Sequence, residues 1–354
     1  MAFESGAIHA PQHLVDLCVA YNPREDGYVR NVLFPRKDVQ HETDLIATVS
    51  KEDTLRLYDL DVSGRGEIPE VTYRTAADKS YRCKPIAAKA EVNPKDTKNA
   101  DAAFRHEVRQ TKQARTSVGI RMEYLALNQT ARQTSVMTQN KSYDADTRWD
   151  AFDSNDSTPI EDLQAAVRVV RIKCGVSAGA TSRDGQGVIK VIMHEFTWMT
   201  LQQHPNVIDR VRFNTGQTGA ILTKKILAEM LEVAEGDILI TSAQYTSSVQ
   251  GPGVTAAYKA FVGSDVIVAY VDSDPENDQA LGHEFVFDGL AGSEPFLVNK
   301  WREQGKGVFL YTDYIGVACM VDYKATNAEN AGFLLEGVID ASDTTRYGNP
   351  SLID

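Results

Sequence analysis

Hydrophobic positions recur at helical spacing over one long stretch of this chain, which runs from Asp96 to Ala131. It holds no proline and a single glycine, and at ~1.5 Å per residue a helix of this length spans roughly 50 Å. The repeating face is apolar at both ends and polar in its middle. We therefore expect its two ends to pack on separate bodies and its middle to contact water. The face consists of Phe104, Val108, Thr111, Arg115, Val118, Met122 and Leu125.

The residues before this helix divide into two parts. Residues 1–63 have weak periodicity, which predicts an N-terminal arm that lies on other surfaces. Residues 64–95 alternate in polarity on both sides of a polar stretch, Ala76–Ser80, which predicts a long β-hairpin with its tip at that stretch. Pro85 favours an exposed edge strand. Because an isolated hairpin is marginally stable, we expect a neighbouring subunit to cover this one.

The residues after the long helix predict a compact α/β body, followed by strands that return to the long helix. Residues 96–157 combine the helix with an aspartate-rich loop around Trp149. Residues 158–271 alternate helical and apolar strand patterns, beginning at the capping sequence Thr158-Pro159-Ile160-Glu161, and so predict an α/β unit. Residues 272–354 predict late strands that return to the long helix, followed by a C-terminal tail.

Composition narrows the class of protein. The chain has 354 residues, is 42% hydrophobic and carries a net charge of −12, which is typical of a globular protein and not of one that grips nucleic acid by its phosphates. Arg105, Arg109 and other basic residues decorate the long helix, where a basic face or an ordinary solvated surface is possible. We expect no signal peptide, no membrane span and four reduced cysteines.

No motif proposes a reaction. His194-Glu195 begins like a zinc-protease helix, but Trp198 stands where the second histidine belongs. The acidic residues from Asp272 to Asp278 are spaced like early calcium ligands, yet the glycine and the final glutamate of such a loop are missing. We therefore expect no catalytic residue, no cofactor and no metal site.

The order of parts resembles the major capsid proteins of tailed bacteriophages, the Hong Kong ninety-seven fold. Two runs carry most of the similarity: TRWDAFDSNDSTPIEDLQAAVRVVRIKCG and VIKVIMHEFTWMTLQQHPNVIDRVRF. ILITSAQYTSS and DVIVAYV fit the elements that follow them in that family. The resemblance implies an α+β chain with an N-terminal arm, an E-loop hairpin, a spine helix with its β-sheet (the P-domain) and a compact α/β A-domain.

The same resemblance implies a structural protein without enzymatic activity. Copies would assemble as hexamers and pentamers into an icosahedral head that encloses double-stranded DNA without reading its sequence. The expected partners are a separate scaffolding protein, a portal and, in some members, a decoration protein; the expected locations are the host bacterial cytoplasm during assembly and then the virion. The predicted inter-subunit contacts are Tyr73, Asp78, Lys79, Tyr81, Arg82, Arg105, Arg109, Trp149, Tyr245, Gln250 and Pro252.

Two alternatives stay open at this point. An encapsulin-like nanocompartment has the same fold around a protein cargo. An α/β enzyme is the alternative of a different class, with His194, Glu195 and Asp272 as its candidate groups, and it requires a pocket in which polar groups converge.

Overall fold

A computed structural model describes most of the chain. The described residues are 14, 17, 18, 27–49, 56, 57, 61, 75–92, 106–176, 187–215, 221–248, 258–274, 279–289, 296–304 and 311–340. None of the helices in these ranges is both long enough and apolar enough to cross a membrane.

Helices and strands alternate along the described residues. The α-helices are α1 (Arg30–Leu33), α2 (His106–Ala126), α3 (Pro159–Cys174), α4 (Glu195–Gln203), α5 (Pro205–Thr215), α6 (Lys224–Leu231) and α7 (Ala328–Ala331). The strands are β1 (Arg36–Val39), β2 (Thr43–Val49), β3 (Thr75–Arg82), β4 (Lys84–Val92), β5 (Asn140–Ser142), β6 (Val188–His194), β7 (Ile238–Thr241), β8 (Gln244–Thr246), β9 (Tyr258–Ala260), β10 (Val266–Val271), β11 (His283–Phe287), β12 (Leu297–Gln304), β13 (Tyr311–Lys324) and β14 (Gly332–Glu336).

The first sheet is built around the long strand β13. Strands β4 and β12 pair antiparallel with it on opposite edges, β11 pairs with its C-terminal end, and β1 lies parallel beyond β11. Every second side chain of β13 is buried, from Ile315 through Val321 to Tyr323. This alternation places one apolar face of the strand toward the long helix.

The long helix α2 packs along that face, on β4 and β13. Its described part begins at His106 and ends in a π-helical turn, Leu127–Ala131, so residues 96–105 of the predicted helix lie outside the described ranges. The predicted wet middle is wrong. Thr111 is fully buried, and the Arg115 guanidinium lies 3.9 Å from the centroid of the Phe296 ring. An aromatic ring face attracts a cation, so the guanidinium can be buried there.

The second sheet has the order β5-β14-β10-β6-β7 and mixes parallel with antiparallel pairs. All six residues of its central strand β10 are buried, and helix α3 packs on β6, β10 and β14. The predicted helix start at Pro159 is confirmed, although the Thr158 side chain makes no capping hydrogen bond. Gly175 ends the helix in the left-handed conformation (φ 68°) that glycine accommodates without strain. The predicted late strands divide between the two sheets, since β14 joins this one whereas β11, β12 and β13 belong to the first sheet, in which β13 contacts the long helix.

The predicted hairpin is wrong in its strands and in its tip. Residues 76–80, predicted as the tip, lie inside β3, which pairs antiparallel with β2 from Thr43↔Arg82 to Val49↔Thr75. The two strands therefore come from residues on both sides of the predicted arm boundary at residue 63, and residues 50–74 connect them. After Cys83 the chain continues directly into β4, which belongs to the first sheet.

Candidate assembly surfaces

The root of the hairpin β2–β3 is fastened to the first sheet by a small core of its own. The Tyr81 ring stacks on Phe285 with centroids 4.7 Å apart and planes 2° from parallel. Cys83 is fully buried beside them, and Ile46 and Met320 pack around the cluster. Burial raises the pKa of the Cys83 thiol to about 11, so the thiol stays protonated and behaves as a small apolar side chain.

Polar contacts add to this anchor. The Lys79 ammonium donates a hydrogen bond to the Thr326 carbonyl oxygen, and the Arg82 backbone N–H donates one to Asp322 Oδ2 at 2.9 Å. Tyr81 and Lys79, two of the predicted inter-subunit residues, are therefore engaged within their own chain. Arg82 keeps an exposed side chain.

On the face opposite Ile46, the hairpin presents an apolar side chain to solvent, and the connection between its strands presents a second one. Leu45, in β2, is 60% exposed, and Leu57, within the connection, is 97% exposed. Among the described strands, β2 and β3 pair only with each other. A two-stranded sheet with an exposed leucine gains little stability from its own packing, so it is suited to being covered by another surface.

A second anchored segment precedes the hairpin, at residues 27–34. The Glu123 carboxylate is fully buried on the long helix and accepts hydrogen bonds from the backbone N–H groups of Val29 (2.9 Å) and Arg30 (3.3 Å). The Arg30 guanidinium in turn donates to the Gly119 carbonyl oxygen at 3.3 Å. A buried carboxylate is stable when such donors surround it, so Glu123 fixes where this segment crosses the helix.

Glu284 and Tyr323 are a second set of buried polar side chains, and they lie in the first sheet. The Tyr323 hydroxyl donates to Glu284 Oε1 at 2.7 Å, and its ring meets Phe34 edge to face at 5.9 Å. Burial, and then the neighbouring Glu284 carboxylate, raises the pKa of Tyr323 well above its ordinary value. The phenol therefore remains a hydrogen-bond donor that holds the acid in place.

Trp149 was predicted to contact a neighbouring subunit, and this prediction is wrong. Its side chain is fully buried, and Nε1 donates to Asp162 Oδ2 at 3.2 Å at the start of helix α3. The Tyr143 ring lies edge to face with it at 6.2 Å. The surrounding aspartate-rich loop is polar because it covers the protein surface, while its one tryptophan anchors the loop to the core.

The remaining predicted contact residues have different surroundings. Arg109 is exposed on the long helix. Tyr245 is partly buried between Phe261 (4.9 Å) and Tyr124 (5.4 Å), on the short hairpin of β8 and β9. Tyr73, Arg105, Gln250 and Pro252 lie outside the described residues, as does the side chain of Asp78.

Further apolar side chains are exposed on α4 and α5 and just after them, and the sequence analysis did not predict them. Phe213 is 88% exposed, and Met199 and Ile221 are also exposed. A hydrogen bond of 2.9 Å from Gln202 Nε2 to the Leu222 carbonyl oxygen holds the Ile221 segment beside α4. The signal was present, since Phe213 falls off the helical face that Val207 and Val211 define.

The groups named for the enzyme alternative, His194, Glu195 and Asp272, do not converge on one site. His194 ends β6, whereas Asp272 follows β10, and these strands run antiparallel with Val188 opposite Val271. The two residues therefore lie at opposite ends of the sheet, roughly 20 Å apart at ~3.3 Å per residue. His194 Nδ1 accepts a hydrogen bond from the Phe196 N–H and caps helix α4. No group of three or more His, Cys, Asp or Glu side chains in the described part of the chain is arranged to hold a metal ion.

Solved structures provide the comparison with known proteins. A phage-related protein of Bordetella bronchiseptica RB50 is 18% identical with a TM-score of 0.66, and the match covers 94% of this chain and 99% of that one. A virus-like particle from Pyrococcus furiosus is 12% identical with a TM-score of 0.50, over 92% and 97% of the two chains. A putative prophage capsid protein of E. coli CFT073 is 14% identical with a TM-score of 0.48, over 92% and 98%.

The first two likenesses extend over nearly the whole chain, so this chain has the fold of those proteins. The α+β class and the capsid fold that the resemblance predicted are confirmed. No protein-family model and no curated protein matches the sequence.

Proposed function

We propose that this chain is a major capsid protein, the structural subunit of an icosahedral phage head. The observation that carries the proposal is a fold shared over more than nine-tenths of its length with a phage-related protein and a virus-like particle protein. In this proposal the first sheet and α2 are the P-domain, the second sheet with its helices is the A-domain, and β2–β3 is the E-loop. The chain acts by assembly and catalyses no reaction.

The hairpin supplies the physical reason for assembly. Its root is fixed to the first sheet, whereas Leu45 and Leu57 are exposed. Covering these side chains on a sister subunit removes apolar surface from water at about 25 cal/mol per Å². Each such contact is modest, but a closed shell repeats it around every symmetry axis, so many weak contacts together hold the particle.

The proposal extends to partners and location. Copies of this chain form hexamers and pentamers, a separate scaffolding protein guides their closure, and one vertex takes a portal; a decoration protein is an additional partner. Assembly takes place in the host bacterial cytoplasm, and the mature location is the virion. The net charge of −12 supports a container wall to which packaged DNA does not adhere over its whole surface.

Electron microscopy of the purified chain, alone and co-expressed with the neighbouring scaffolding gene, tests the proposal. Closed particles of uniform diameter are expected. A monodisperse monomer under both conditions would contradict the assembly role. Particles from the native source that hold a protein cargo and no genome would instead favour the nanocompartment.

A further inference from the structure

The first sheet has a face turned away from the long helix, and one end of that face carries two aromatic side chains. Cys319 Sγ lies 3.8 Å from Met122 Sδ of α2, so the alternate residues of β13 that include Tyr314 and Gly316 face the other way. Trp301 of β12 is directly opposite Tyr314 in the register, and both residues are partly exposed. We call this group the aromatic platform; it consists of Trp301, Tyr314, Gly316, Lys89, Glu91 and Glu303.

Contacts within the chain hold the two rings of the platform in place. Their centroids are 6.0 Å apart, and their planes are 24° from parallel. The Trp301 indole N–H donates a hydrogen bond to Glu303 Oε1 at 2.7 Å. The far edge of the indole extends over Gly316, where a Cβ atom would lie only 2.7 Å from the ring. Because the rings are already positioned, a ligand that packs on them loses little free energy in ordering them.

The charges around the rings disfavour an ionic ligand. The Lys89 ammonium lies 4.5 Å from the centroid of the Tyr314 ring and 3.8 Å from the Glu303 carboxylate, so the chain itself fills the position of a cationic ligand. Glu91, opposite Tyr314 in the register, is a second exposed carboxylate. Two carboxylates against one ammonium repel the phosphates of a nucleic acid or a lipid headgroup. The ligand that fits this surface is therefore neutral.

The size and chemistry of the platform narrow the class of neutral ligand. Two aromatic side chains offer at most roughly 150–250 Å² each, which is less than the ~800 Å² that each partner buries in a standard protein interface. The negative face of an aromatic ring attracts polarised C–H groups. The Glu303 carboxylate can accept hydrogen bonds from hydroxyl groups, and the Lys89 ammonium can donate to them. A pyranose sugar has both features, with C–H groups on its face and hydroxyl groups around its edge.

We propose that the aromatic platform is a binding site for a neutral glycan built of pyranose rings with equatorial hydroxyl groups. One sugar ring packs on the Trp301 indole, its hydroxyl groups meet Glu303 and Lys89, and the next sugar of the chain lies along Tyr314. All of these groups belong to one subunit. The site is therefore independent of the assembly proposed above and adds a function to it.

Isothermal titration calorimetry of the full chain, purified as dispersed subunits, with cellohexaose as the probe tests the proposal. We expect saturable binding that Trp301→Ala weakens at least about tenfold, because this change removes the stacking surface. Gly316→Ala keeps both rings but displaces the edge of the indole, and should weaken binding about threefold. The matched control Tyr311→Ala removes a 54% exposed ring from the opposite face of the same strand, and should change the affinity less than about twofold.

Two results would overturn the proposal directly: no binding of cellohexaose by the unsubstituted chain, or equal affinities of Trp301→Ala and Tyr311→Ala. Stronger binding of a hexaproline peptide or of anionic hexagalacturonate than of cellohexaose would assign the platform to a proline-rich segment or an anionic polymer, and would also reject it. Thermal melting checks that each variant is folded. If Trp301→Ala does not fold, Gly316→Ala takes its place, and equal affinities of Gly316→Ala and Tyr311→Ala reject the site.

Discussion

Strand β10 and the hairpin β2–β3 show two ways in which this chain uses extended structure. All six residues of β10 are buried between β6 and β14, with Val268 opposite both Val191 and Phe333. In β2, by contrast, Leu45 is 60% exposed, and among the described strands β2 pairs only with β3. The body completes its own core, while the hairpin is fixed to the first sheet through one face and exposes Leu45 on the other. Under the proposed capsid role, the exposed face of the hairpin is the part of the subunit that a sister molecule covers.

Val268→Asp should produce the largest loss of stability. The side chain is fully buried at the centre of the second sheet, and a carboxylate there has no described cation to pair with. We expect a loss of at least about 4 kcal/mol in the free energy of unfolding, seen as loss of the soluble folded chain or of a cooperative melting transition. A chain that melts normally would show that the body is less closely packed than this account requires.

Glu123→Ala should cost about 2–4 kcal/mol, because it leaves the backbone N–H groups of Val29 and Arg30 without their buried acceptor. Chemical denaturation measures the loss, and limited proteolysis should show faster cleavage near residue 27. Glu107→Ala, on the same helix, removes a partly exposed ion pair with Lys300 and should cost less than about 1 kcal/mol. Equal effects of the two substitutions would argue against Glu123 as the anchor of this segment.

Acid should weaken the body through His194. Burial lowers the pKa of this histidine from 6.5 to about 4 in the folded chain, so the unfolded chain binds a proton that the folded chain does not. The contribution of the neutral His194 imidazole to the free energy of unfolding is fully present above pH 6.5. It is lost as the pH falls toward 4, and the loss is about 2–3 kcal/mol at pH 4.5.

The variant His194→Asn isolates that contribution, since asparagine also caps a helix but does not titrate. Denaturant midpoints at pH 7 and pH 4.5 should differ less in this variant than in the unsubstituted chain. His41→Asn, at an exposed position, serves as the control and should keep the original difference. An unchanged pH dependence in His194→Asn would rule out a titrating role for the buried imidazole.

Leu45→Asp should have the smallest effect on stability and a clear effect on assembly. It is the same apolar-to-acidic change as Val268→Asp, but it falls on an exposed side chain, so the free energy of unfolding should change by less than about 0.5 kcal/mol. Sedimentation should show fewer particles and more dispersed subunits. Normal particle yield would mean that a neighbour does not cover this part of the hairpin.

Local patterns predicted the elements whose cause is local. The buried positions Val118 and Met122 of the long helix follow from its 3.6-residue repeat, and the start of α3 follows from Pro159. These are the features that propensity and periodicity fix without reference to distant residues.

The predictions that were wrong concern residues whose surroundings come from distant parts of the chain. Residues 76–80 are polar and look like a turn, yet they pair with a strand on the far side of residues 50–74. Thr111 and Arg115 form the polar middle of the predicted helix face, which was expected to contact water, but Thr111 is fully buried and Phe296 makes the burial of Arg115 possible. Of the predicted contact residues, Tyr81 and Trp149 are both engaged by tertiary packing within their own chain. A surface that another copy completes leaves no periodic signal in one sequence.

Hydrogen exchange in β2 tests the central claim most directly. Amide exchange of residues 43–49 should be measured by mass spectrometry in dispersed subunits and in assembled particles, with residues 266–271 of β10 as the internal reference. The account predicts that β2 exchanges at least about tenfold more slowly in particles, since a covered hairpin opens less often, while β10 is protected equally in both states. Equal exchange of β2 in subunits and particles would contradict the claim that a sister molecule completes the hairpin.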